Sequence, residues 1–202
     1  MPFEIPLSHW LVIASVGISL LGSFAYIRDT LAGRSKPNRV SWFLWAFVPL
    51  LGAGAALSLQ ADIWATVRVI VSGLVPLMVF SISFINPNAY WKLSAFDLTC
   101  GAIAIVALGV WAIVDLPRIS ILLLALADGF AALPTIMKAW RFPETETGLA
   151  YLASFFAVIL VLPSIPVWNI ENSAFQIYLL TANAILAFAV YRKKMGFVFA
   201  NG

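Results

Sequence analysis

The chain has 202 residues, of which 62% are hydrophobic and only 10% are charged. A soluble globular domain carries about 25% charged residues, so the polar side chains here are too few to cover a surface that faces water. The mean hydropathy of +0.98 agrees with this. We therefore expect one integral membrane domain over residues 1–202, with the lipid bilayer as its main partner.

The net charge of +3 comes without any long basic run, so no nucleic-acid partner is expected. Cys100 is the single cysteine and His9 the single histidine, which argues against disulfides and against Cys or His metal clusters. The sequence also has no glycine-rich phosphate loop and no Ser-His-Asp set. We expect a protein that is not an enzyme and that holds no cofactor.

Seven segments are long and apolar enough to cross a bilayer, which takes about 20 residues. In chain order they cover residues 8–27, 40–59, 63–85, 95–114, 118–140, 148–166 and 173–191. Lys and Arg are concentrated in the connections that follow the first, third and fifth segments and in the tail. The positive-inside rule then places the N-terminus outside and the C-terminus inside, and the expected location is a bacterial inner membrane.

The chain also carries signs of an internal repeat. When it is shifted by 109 residues, "AYIRDTLAGRSKPNRVSWFLWAF" (25–47) falls on "PTIMKAWRFPETETGLAYLASFF" (134–156), with Trp42 on Tyr151 and Phe47 on Phe156. Identity is low, but a polar loop with a proline separates the same two helices in both copies. The interpretation is an all-α fold of two parallel three-helix repeats, 8–85 and 118–194, joined by a connector helix over 95–114.

This three-plus-one-plus-three plan resembles the PQ-loop superfamily, to which the SWEET sugar transporters belong. "KPNRVSWFLWAF" is similar to the family's segment of loop and tryptophan, and "ALPTIMKAWRFPETE" to its proline-containing helix end. Neither copy has a literal Pro-Gln pair, and Thr135 stands where the family often has glutamine. The resemblance implies a carrier with a solute site between the two repeats.

Asp128 is the strongest candidate for a substrate contact, since it lies roughly 14 Å along the fifth segment, near the middle of the membrane. A carboxylate at this depth is costly and points by default to function, although a structural acid that only joins helices is the alternative. Thr135, seven residues on, shares its helix face. The resemblance adds Asn183, in the position of a substrate-contacting asparagine, and Ser72 as its nearest counterpart in the first repeat.

Aromatic side chains complete the predicted solute site. Trp45 and Tyr151 lie in the second helix of each repeat, where the resemblance implies stacking on a solute. Packing and anchoring at the membrane interface are the alternatives.

Four further residues are assigned to gating. Pro134 removes a backbone hydrogen bond and acts either as a hinge or as a static kink. Tyr26 is the repeat mate of Thr135. Asp29 and Lys138 occupy equivalent positions with opposite charges, so they either pair when the inner side closes or act as separate charges at loop ends.

The prediction from sequence is therefore a SWEET-like membrane protein that moves a small polar solute by alternating access. Proton coupling through Asp128 and assembly into a homo-oligomer are both left open. A cation channel of the same three-plus-one-plus-three type is one alternative. A non-transporting PQ-loop-like receptor is the other.

Overall fold

A computed structural model describes residues 6–58, 63–165 and 167–196 of the chain. Within these ranges the protein has seven α-helices and no strand. The helices are α1 (Leu7–Leu31), α2 (Arg39–Ser58), α3 (Ile63–Ile82), α4 (Ala95–Ile113), α5 (Pro117–Arg141), α6 (Gly148–Val161) and α7 (Ile170–Tyr191). The prediction of an all-α fold with seven helical segments is thus confirmed at the level of the helices.

Four stretches in the described ranges are long and apolar enough to cross a membrane: His9–Leu31, Ala95–Ile113, Arg118–Arg141 and Asn172–Tyr191. Shorter apolar stretches lie in the other three helices. Large apolar side chains point outward along the molecule, among them Leu21, Phe24, Ile105 and Ile113. An outer surface of this kind indicates a membrane protein, because water would not tolerate so large an apolar area.

We call α1, α2 and α3 the first group of helices and α5, α6 and α7 the second group. In the first, α3 lies against both α1 and α2; in the second, α7 lies against both α5 and α6. The two groups meet where α1 packs on α6 and where α2 packs on α5. Helix α4 packs on α5 and, less extensively, on α2.

The interior between the packed helices is made largely of small and polar residues. Many buried positions are alanine, such as Ala127, Ala131 and Ala132 on α5. Gly22 on α1 faces α6 so closely that a Cβ atom there would lie 3.1 Å from Ala150 Cα and would overlap the Ala153 side chain. Small residues let backbones approach, and close packing is what associates helices in lipid.

The helix ends differ from the predicted ones where polar and proline residues intervene. Helix α1 runs past residue 27 to Leu31 and ends before Gly33, whose φ of +71° suits glycine. Helix α6 stops at Val161 rather than 166, since Pro163 lies in a short 3₁₀ turn over Leu162–Ser164. Helix α7 begins at Ile170, because Asn169 accepts a hydrogen bond from the backbone N–H of Asn172 and caps it.

Candidate functional site

A cavity of about 220 Å³ lies between the two groups of helices. Six helices contribute to its wall, and α4 does not. Its polar and aromatic lining consists of Ser15, Ser19, Ser23, Trp42, Trp45, Ser72, Asp128, Tyr151, Ser154, Phe175, Tyr178 and Asn183. Because both groups contribute, any movement of one group against the other would change the shape of this cavity.

Asp128 provides the charge of the cavity. It is 6% exposed, and its Oδ2 accepts a hydrogen bond of 2.6 Å from the Tyr178 hydroxyl. Trp45 from the first group lies beside the same carboxylate. Among the lining side chains that the structure describes, none is a lysine, arginine or histidine. Within the described lining, the carboxylate therefore has hydrogen-bond donors around it and no cation.

Several polar groups of the cavity wall already donate their protons to helix carbonyls. The hydroxyls of Ser15, Ser23 and Ser72 donate to Val12 O, Ser19 O and Val69 O at 2.7–2.8 Å. The Asn183 amide donates to Leu179 O at 2.8 Å. Each of these side chains still has an oxygen that accepts hydrogen bonds, and the three serine hydroxyls have no further proton to donate, whereas Asn183 keeps one N–H.

One end of the cavity is closed by a buried polar layer, which we call the sealed layer: Tyr26, Lys138, Glu146 and Tyr151. The hydroxyls of Tyr26 and Tyr151 donate to Glu146 Oε2 at 2.8 and 2.7 Å. Lys138 Nζ lies 2.6 Å from Glu146 Oε1, and the two side chains are 1% and 0% exposed. Trp42 covers the layer on the cavity side, with its ring 4.6 Å from that of Tyr26.

The loops beyond the sealed layer bind to each other across the two groups. The backbone N–H of Lys36 donates to Thr145 O at 3.0 Å, and the Lys138 ammonium donates to Lys36 O. The hydroxyls of Ser35 and Thr147 lie 2.5 Å apart, and Thr147 also donates to Asp29 at 2.9 Å. These contacts join the α1–α2 loop and the end of α1 to the α5–α6 loop.

The structure places five of the predicted solute contacts in the cavity wall: Asp128, Asn183, Ser72, Trp45 and Tyr151. Thr135 does not line the cavity. Its side chain is fully buried two helical turns beyond Asp128, toward the sealed layer, and its hydroxyl has no hydrogen-bond partner among the described residues.

Among the predicted gating residues, Tyr26 and Lys138 belong to the sealed layer. Pro134 is fully buried within α5, four residues before Lys138. Of the two alternatives for Asp29 and Lys138, this structure shows separate charges, since Asp29 Oδ1 lies 2.5 Å from Arg34 Nη2. Lys138 points instead into the buried layer, where Glu146 supplies its counter-charge.

Several residues of the site were not predicted from the sequence, and two of them, Glu146 and Tyr178, make its charged contacts. Glu146 lies in a polar loop, where acids are usually solvated, and Tyr178 looked like one more aromatic residue of an apolar helix. The signal for Tyr178 was available, because a phenol inside a membrane helix needs a hydrogen-bond partner and Asp128 is the buried acceptor in reach. No sequence signal separates Glu146 from its neighbour Glu144.

A scan against models of protein families, a search of curated proteins and a search of solved structures each found no match to this chain.

Proposed function

We propose that this protein is a SWEET-like carrier that moves a small polar solute across a membrane by alternating access. One observation carries the proposal: a cavity with a buried carboxylate lies between two groups of helices, and a polar layer closes it at one end. A carrier in one of its two end states has this form, with its solute site open to a single side.

The contacts between the helices support a parallel repeat. If α1, α2 and α3 are matched with α5, α6 and α7, the contacts within each group correspond, and the α1–α6 contact corresponds to the α2–α5 contact. Lys36 and Thr145, which hydrogen-bond to each other, are 109 residues apart, the same shift that matches the two sequence copies. A pseudo-twofold axis through the cavity accounts for both observations.

In this proposal all seven helices span the membrane and the sealed layer is the inner gate. The α1–α2 loop next to it carries Arg34 and Lys36, Arg141 ends α5, and the tail beyond α7 carries Arg192, Lys193 and Lys194. The positive-inside rule places such an end in the cytoplasm, here of a bacterium. The cavity would then be open to the outside in the state described.

Opening the inner side requires contacts between the two groups to break. Tyr26 and the Lys36 carbonyl belong to the first group, whereas Lys138, Glu146 and Tyr151 belong to the second. If the groups rock apart, Glu146 loses the Tyr26 hydroxyl but keeps Lys138 and Tyr151. Glu146 thus stays paired with Lys138 in both states, so the change of state does not leave an unpaired charge in a low-dielectric interior.

The test is uptake by proteoliposomes from a pool of sugars, nucleosides, amino acids and amines, with the entry of each solute measured by mass spectrometry. We expect saturable uptake of one chemical class. Ala182→Trp should abolish it, because Ala182 lines the cavity and an indole there would fill the space. Ile185→Trp is the matched control, since Ile185 is exposed on the outer face of the same helix.

Two results would overturn the proposal. Flux that rises linearly with solute concentration and shows no exchange between internal and external solute would indicate a channel. No flux of any solute, from protein that is folded and correctly inserted, would indicate a receptor.

A further inference from the structure

We infer that the solute is a small organic cation, an amine or a quaternary ammonium compound. This inference rests on the proposed carrier function and assigns a substrate class to the same cavity. Three features of the wall lead to it: its charge, its hydrogen-bonding polarity and its aromatic surfaces.

The charge of the cavity favours a cation. Asp128 is buried, and the described lining holds no basic side chain to neutralise it. A cation that enters the cavity gains a counter-charge, while an anion would meet repulsion from the buried carboxylate. A neutral sugar would gain neither effect.

The hydrogen-bonding polarity favours a ligand rich in donors. Ser15, Ser23, Ser72 and Asn183 each commit a proton to a helix carbonyl and present oxygen atoms as acceptors. Tyr178 donates its proton to Asp128, so its oxygen also remains an acceptor. A protonated amine has N–H donors and no acceptor, which complements the oxygen atoms of this wall. A quaternary ammonium group has no N–H and would depend on the charge of Asp128 and on the aromatic surfaces.

The aromatic surfaces suit a cation as well. Trp42 and Trp45 on α2 and Phe175 and Tyr178 on α7 line the cavity, and the two indoles meet edge to face with ring centroids 5.4 Å apart. Indole and phenol faces attract ammonium groups, most strongly where water is excluded. At about 220 Å³ the cavity suits a small molecule rather than a peptide.

The experiment is calorimetric titration of the purified full chain in detergent with four probes that share one ring: benzylamine, benzyltrimethylammonium, benzyl alcohol and benzoate. We expect both cations to bind at least about tenfold more tightly than the alcohol, since a buried carboxylate with no basic side chain in its described surroundings favours a cationic partner. Benzyltrimethylammonium cannot lose its charge, so its binding separates recognition of a cation from proton transfer to Asp128.

Asp128→Asn should remove the preference for the cations over benzyl alcohol. Asp115→Asn is the control. Asp115 is an exposed acid in the connection between α4 and α5, so this substitution removes the same charge outside the cavity. If Asp128→Asn fails to fold, Trp45→Leu gives a second test and should lower the ratio of cation to alcohol affinity by about threefold.

Three results would overturn the inference: equal affinity for benzyl alcohol or benzoate, no binding of any probe by the wild type, or an unchanged cation preference in Asp128→Asn. Counterflow of the same probes in proteoliposomes then separates the two proposals. If the cations bind but are not transported, the carrier function is contradicted and the cation-binding site is supported. If benzyl alcohol is exchanged and the cations are not, the carrier function is supported and the assignment of a cationic solute is contradicted.

Discussion

Lys138 and Glu146 form an ion pair inside the protein, with side chains 1% and 0% exposed. Lys138→Met leaves a buried carboxylate without its counter-charge, and such a loss costs about 3–5 kcal/mol. We expect a large fall in the melting temperature, measured by thermal denaturation in detergent micelles. The double variant Lys138→Met with Glu146→Gln should lose less than the sum of the two single losses, because no charge is then left unpaired.

The control for this prediction is Arg34→Gln. The Arg34 side chain is 59% exposed, although it approaches Asp29 to 2.5 Å, and ion pairs of this kind contribute about 0–1 kcal/mol. If Lys138→Met were no more destabilising than Arg34→Gln, the buried pair would not exist in the folded protein.

At the residue scale, the candidates that sequence reasoning could find were those that stand out against an apolar helix. Asp128, Asn183 and Ser72 carry polar atoms into otherwise apolar segments, and the cost of placing such atoms among apolar side chains singles them out in the sequence. Glu146 could not be identified as a buried acid from the sequence, because Glu144 and Glu146 lie in the same polar loop. The first is exposed and the second is buried, and this difference depends on Lys138, which lies on a different segment.

At the scale of whole helices, the contact between α1 and α6 depends on Gly22. A methyl group there would overlap Ala153 and press on the α6 backbone at Ala150 and Leu149. Gly22→Ala should therefore destabilise the protein by about 1–3 kcal/mol through overpacking, even though alanine favours helix. The measurement is the melting temperature in micelles.

Gly17 is the matched control on the same helix. A Cβ atom there meets no other atom within 4 Å, so Gly17→Ala should raise stability or leave it unchanged, as helix propensity predicts. An equal effect of the two substitutions would mean that α1 and α6 are not in the close contact described.

The existence of the helices could be predicted because each is an apolar run of the right length, but their ends depend on single residues. Pro163 turns the end of α6 into a short 3₁₀ segment, and Asn169 starts α7 three residues early. Both are recognisable helix-end signals that hydropathy alone does not weigh. Which helices touch could not be predicted from hydropathy, because the exposed and the buried sides of these helices are both apolar.

At the scale of the whole molecule, the two groups of helices meet at the sealed end through the loops that carry Ser35 and Thr147. The hydroxyl oxygens of these residues lie 2.5 Å apart, so cysteines at both positions would hold their sulfur atoms near disulfide distance, about 2.05 Å. The native thiol, Cys100, is buried in α4 and would be replaced by alanine to give a clean background.

Oxidation of the variant Ser35→Cys with Thr147→Cys should lock the sealed end shut. If the groups must rock apart for transport, uptake by proteoliposomes should then fall to the level of protein-free liposomes and return on reduction, while solute binding from the open side continues. Either single cysteine variant, oxidised in the same way, should transport as the Cys100→Ala background does. Full uptake by the oxidised double variant, with the disulfide verified by mass spectrometry, would mean that the solute passes without separation of the two groups, as it would in a channel.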